Sequence, residues 1–147
     1  MEPVSVEPIP EFSLKGRIID AYVSEVYDGD TITVIFNPFP DDEHSRDWEF
    51  KIRMLGYNAP EMRPKIKKHP TPWVRKRIKK NAITSRDKLA ALIKHRRITL
   101  YCTDFDNFGR ILGIVMSEGD NVNLLMLHNG LGIPYGPTPN FPLGAVK

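Results

Sequence analysis

A cation, an amide oxygen and a carboxylate fall close together in Ile52-Arg53-Met54-Leu55-Gly56-Tyr57-Asn58-Ala59-Pro60-Glu61. Each suits a step in ester hydrolysis. Arg stays charged and matches two phosphate oxygens at once. A carboxylate such as Glu61 can orient or deprotonate water. Asn58 offers an oxygen to a hard cation such as calcium. The stretch reads as a strand, with Ile52, Met54 and Gly56 alternating against Arg53 and Leu55. It ends at a chain reversal, because Pro60 fixes its own φ and pushes Ala59 away from helix. An ordinary strand-turn with incidental charges fits the same residues, so this stretch alone leaves both readings open.

Two further segments bear on the choice: Tyr27-Asp28-Gly29-Asp30-Thr31 and Asp106-Asn107-Phe108-Gly109-Arg110. The three in this order resemble the staphylococcal nuclease (thermonuclease) family, calcium-dependent phosphodiesterases built on a five-stranded barrel with helices. The resemblance covers roughly Phe12 to Tyr135. It implies that Arg53 and Arg110 hold the phosphate in the transition state and that Glu61 is the general base. It implies Ca²⁺ held by Asp30, Asn58 and the backbone oxygen of Ala59, with Mg²⁺ or Mn²⁺ able to substitute. It further implies single-stranded or exposed DNA or RNA as substrate, little sequence preference, and products ending in 3′-phosphate. Asp28 is either a support for the metal's ligands or the residue an Asp-Gly turn demands, and the turn is the preferred reading.

The chain departs from the family pattern in three places. Asn58 stands where Asp is usual, which removes a full negative charge and predicts weaker metal affinity. Ala59 replaces Thr, at no cost to a backbone ligand. Asn107-Phe108 replaces Lys-Tyr, leaving Phe108 as a stacking surface; Tyr135 sits near a family tyrosine that packs by the nucleotide. Core or rim packing explains Phe108 and Tyr135 equally well. Two rival functions remain: a non-catalytic nucleic-acid-binding module of the same fold, and a domain whose basic stretch docks an acidic protein.

That stretch follows Glu61 directly. Between Arg63 and Lys80 lie nine Lys and Arg residues and no acid. We read it, with Lys67 and Lys68 as candidate substrate contacts, as a surface that tracks phosphates and makes binding salt-dependent. The net charge of +3 over 147 residues says less than this distribution. Cys102 is the single cysteine, so no intrachain disulfide forms, and its place in Ile98–Cys102 reads as a buried strand. His44, His69, His95 and His128 lack zinc spacing. No apolar run approaches the ~20 residues of a membrane span. Met1 to Pro8 has no signal-peptide character, so the expectation is a monomer inside a cell, in the cytoplasm or nucleus of the source or its host.

The elements that must position these residues follow from local pattern. Residues 1–11 read as a flexible arm, 12–136 as the nuclease-like domain and 137–147 as a proline-rich tail. Strands are expected at Gly16–Val26, Thr31–Phe36, Trp48–Leu55, Arg97–Thr103 and Arg110–Met116, with Asp28-Gly29 as a hairpin turn. Asn37–His44 looks like an inserted loop. Thr71 and Pro72 can start one long or two shorter helices reaching about His95. Asn121 or Asn123 can cap a short helix through His128, ended at Gly130. The family's last helix has no counterpart pattern here. Strands with helices inserted late give an α+β arrangement, a five-stranded OB-type Greek-key barrel with two to three helices.

Overall fold

The computed structural model describes residues 8–142. In chain order its elements are β1 (Ile18–Asp28), β2 (Thr31–Phe36), β3 (Trp48–Met54), β4 (Gly56–Asn58), α1 (Pro72–Ile93), β5 (Arg97–Phe105), β6 (Ile111–Ser117), β7 (Asp120–Asn121), α2 (Val122–His128) and β8 (Ile133–Tyr135). β2 pairs antiparallel with β1 and β3, and β5 with β1 and β6. The parallel pairing of β3 with β6, Ile52 opposite Ile111, closes the ring β1-β2-β3-β6-β5. This is the expected five-stranded barrel with two helices, and closure removes its free edges. β1 serves two partners because bulges at Val23–Glu25 and Val26–Asp28 bend it.

Alternation fills the barrel. Ala21, Val23, Ile32, Val34, Ile52, Met54, Leu100 and Val115 are all fully buried. α1 lies chiefly against β1 and buries Ala82, Ser85, Leu89 and Ile93, one face at helical spacing. It is a single helix. Thr71 occupies the N-cap position without a side-chain bond, so Pro72 at the first turn sets the start. Asn121 caps α2, accepting from Leu124 N at 3.0 Å. Asn123 is instead buried between strands: it accepts from Val115 N and donates to the carbonyls of Leu55 and Gly113. Cys102 is buried, and burial pushes its thiol up to about 11.

The third strand stops one residue earlier than expected, at Met54. Gly56 takes φ +97°, and a Cβ there would lie 2.4 Å from Cδ of Pro139. Only glycine accepts both conditions. The chain therefore turns out of the barrel and β4 pairs with β8, a strand the sequence pattern does not reveal. Among the described residues no helix follows α2. Pro139 is buried instead, and its carbonyl accepts from Asn121 Nδ2 at 2.7 Å. Residues 1–7 of the expected arm and 143–147 of the tail lie outside the described residues; Pro8–Glu11 are exposed and irregular. No described helix is long and apolar enough to cross a membrane.

Candidate active site

The site begins at the β1–β2 turn, where Gly29 and Asp30 connect Asp28 to Thr31. Gly29 does not adopt the positive φ that Asp-Gly hairpins usually require. Its reason is space: a Cβ would meet Ser85 Oγ at 1.9 Å and Ala59 Cβ at 2.9 Å. The bare turn lets α1 and the Pro60 corner close onto it from two sides. Asp28 does hold the turn, its Oδ1 accepting from Asp30 N at 3.0 Å. From beneath, the buried Tyr57 hydroxyl donates to Gly29 O at 2.6 Å. Burial, with the Asp30 charge adding, raises the Tyr57 phenol well above its ordinary value, so it remains a donor.

This scaffold sets Asp30, which is only 7% exposed. Its Oδ1 accepts from Thr31 Oγ1 at 3.1 Å and its Oδ2 from Ala59 N at 2.8 Å. Arg53 Nη1 stands 3.3 Å from the same Oδ2. Burial pushes the Asp30 carboxyl up to about 6, helped by the hydrogen bond and charge of Asp28. Arg53 and Ala59 N oppose the rise without cancelling it. An acidic pair held at a cleft is costly for the protein alone and favourable for a bound cation.

Arg53 is fixed by its register opposite Thr31. It donates through Nη1 to Met54 O at 2.6 Å and Tyr57 O at 2.9 Å, and through Nη2 to Asn58 Oδ1. Nε–H and one Nη2–H of its five donors then remain for a ligand. Glu61 is about half exposed, with Lys68 Nζ at 3.6 Å and His69 Nε2 at 3.9 Å. Asp28, Asp30, Asn58, Ala59, Glu61 and Lys68 line one cleft of about 940 Å³. His69, Ile78, Asn81, Thr84 and Gly130–Ile133 form its remaining walls. Arg53 is not part of the lining but touches it, bonded to Asn58 and paired with Asp30.

Besides Arg53, four of the expected site residues lie apart from that lining. Arg110 is tied at the β5–β6 turn, its Nε 2.7 Å from Asp106 Oδ2. Burial alone would raise the Asp106 carboxyl, but hydrogen bonds from Arg110 and Phe108 hold it below the usual range. Phe108, in the β5–β6 turn, is 85% exposed and so outside the core, with its ring centroid 5.7 Å from the Arg110 guanidinium. Tyr135 is exposed on β8, opposite Gly56. Lys67 is exposed on the loop before α1. His69 is the residue that sequence reasoning passed over. A search for zinc spacing could not find it, and its signal was nearness to Glu61 in a loop fixed by Arg75. That arginine donates to His69 O and Pro70 O, both at 2.8 Å.

The model of the staphylococcal nuclease homologue family matches residues 51–140, more than half of the chain. The chain belongs to that family. No curated protein matches it. Within this nuclease homologue the matched span contains Arg53, Asn58, Glu61, Arg110 and Tyr135, and begins after Asp30. Asp30 is joined to the span by its bond to Ala59 N and its pair with Arg53. Among the described residues no three His, Cys, Asp or Glu side chains gather as a metal cluster. A cation at this corner would lean on amide and backbone oxygens beside Asp30.

Proposed function

We propose that this nuclease homologue is a divalent-cation-dependent nuclease that hydrolyses phosphodiester bonds of DNA or RNA. Its preferred substrate is single-stranded or exposed, with little sequence preference, and its products end in 3′-phosphate, as in the family. The observation that carries the reading is the nearly buried Asp30 carboxylate, braced by Ala59 N and Arg53, in the same cleft as Glu61.

The donor set fits Ca²⁺, which takes carboxylate, amide and backbone oxygens. Asp30, the Ala59 carbonyl and Asn58 would hold it, and Mg²⁺ or Mn²⁺ are alternatives. Asn58 would serve such an ion only by sharing its Oδ1 with Arg53, a further loss of affinity beside that of the missing charge. When bound, the ion supplies Lewis-acid polarisation of the phosphate and makes water easier to deprotonate. Glu61 takes the proton from the attacking water, leaving its contacts with Lys68 and His69 to do so. Arg53 directs its two free donors at phosphate oxygens as their charge grows. Arg110, anchored through Nε by Asp106, offers its terminal nitrogens. Phosphate contacts carry no base information, which accounts for weak sequence preference.

The test is cleavage of labelled single-stranded DNA and RNA in Ca²⁺, in Mg²⁺ and in EDTA, with wild type beside Glu61→Gln. Metal-dependent cutting that falls by ~10²-fold or more in the variant supports the reading. Equal cutting by both proteins removes Glu61 as the base. Binding without cutting at any metal concentration favours the non-catalytic module, with Asn58 as the reason.

A further inference from the structure

The cleft does not end at its lining. Ile78, Asn81 and Thr84 contribute one wall from α1. Helix residues three and four apart share a face, so the neighbours of these three along the axis are fixed by number. Arg77 lies four residues before Asn81, and Lys80 four before Thr84. Lys88 lies four after Thr84. Trp73, four before Arg77, ends the stripe. All four side chains are exposed, Trp73 to 66%.

Position on the cleft side of α1, together with the lack of an ion-pair partner, marks these residues out. Arg75 is committed to the His69 and Pro70 carbonyls, and Lys68 to Glu61. Among the described residues no ion pair involves Arg77, Lys80 or Lys88. The one acid on α1, Asp87, is taken by Arg86 at 3.2 Å. From Trp73 to Lys88 the stripe runs about 22 Å at the helical rise. A cationic row beginning at an exposed indole and passing along a cleft matches a single-stranded polynucleotide. Its phosphates seek cations, and each unpaired base offers a face for stacking.

We propose that single-stranded nucleic acid extends from the cleft along this face of α1. Arg77, Lys80 and Lys88 contact successive phosphates, and Trp73 stacks on a base beyond the cleft. This rests on the nuclease reading for the choice of ligand, but it is a statement about binding and is tested without cleavage.

The test is fluorescence anisotropy in EDTA, titrating oligothymidine and an abasic oligonucleotide of the same length against wild type, Arg77→Ala/Lys80→Ala/Lys88→Ala and Trp73→Ala. Alanine keeps helix propensity at these exposed positions, and circular dichroism checks the fold. The triple variant should bind both probes more weakly and flatten the plot of log affinity against log salt by about 2. Trp73→Ala should lose roughly 5- to 150-fold for oligothymidine and nothing for the abasic probe. Unchanged affinity and salt slope in the triple variant overturn the proposal. So does an equal loss of both probes in Trp73→Ala, or a wild type that binds neither. A parallel cleavage assay in Ca²⁺ keeps the two readings apart. Cutting with no effect of the stripe on binding removes the stripe alone; stripe-dependent binding without cutting removes the nuclease alone.

Discussion

Replacing Asp30 by Asn should stabilise the metal-free protein, although Asp30 sits at the heart of the site. Burial and Asp28 push its carboxyl from 3.8 to about 6. The folded protein therefore binds the proton more tightly than the unfolded chain. Stability is fully present below the unfolded value and is lost as pH rises through the folded one. A shift of about two pKa units costs roughly 3 kcal/mol near neutral pH. Asn mimics the protonated acid and keeps an oxygen for Ala59 N, so Asp30→Asn should recover most of that, about 10 °C in Tm for a domain of this size. Calorimetry or thermal circular dichroism in EDTA, at about pH 7.5 and about pH 4, reads it directly. The variant should lead at the higher pH and lose its lead at the lower. Added Ca²⁺ should raise the wild type and leave the variant where it was. A variant less stable than wild type at neutral pH in EDTA would mean that the Arg53 pair outweighs burial. A lead that ignores pH would mean that titration has nothing to do with it.

Other positions test the scaffold. Gly29→Ala drives a methyl into Ser85 and Ala59 and should cost about 1–3 kcal/mol in urea unfolding; an unchanged midpoint would show that α1 moves aside freely. Asn123→Ala strands Val115 N and the Leu55 and Gly113 carbonyls, so a loss of about 3 kcal/mol or more is expected. A loss under about 1 kcal/mol would show that the gap is readily repaired. Cys102, buried and raised to about 11, should resist a thiol reagent near pH 8 until the protein unfolds. Rapid labelling of the native protein would contradict its burial.

Features of local chemistry were legible in the sequence. Alternation marked the barrel strands, Pro72 marked the start of α1, and Asn121 capped α2 because a cap needs only its own next turn. The Asp28-Gly29 turn was legible for an incomplete reason: glycine serves the approach of Ser85 from α1, a contact far along the chain. β8 was hidden because Ile133-Pro134-Tyr135 has no inward face to alternate. The split at Gly56 depended on Pro139, equally remote. In the site, residue types and order were readable, but pairing was not. Nothing in the sequence says that Arg53 binds Asn58, that Glu61 rests between Lys68 and His69, or that Arg110 is held by Asp106. Those contacts arise from the way each turn and loop folds back on itself, which residue types and order do not state.

The pairing of β4 with β8 also orders events in time. Arg53 and Glu61 are made well before Ile133–Tyr135 and the Pro139 ring that seat the Gly56–Asn58 strand. A chain emerging from the ribosome through α2 can close its barrel, because all five ring strands are already made. Its Asn58 corner still lacks a partner strand. The Asn58 corner thus sets after the barrel, and a nascent chain that has closed its barrel still carries an unfinished corner.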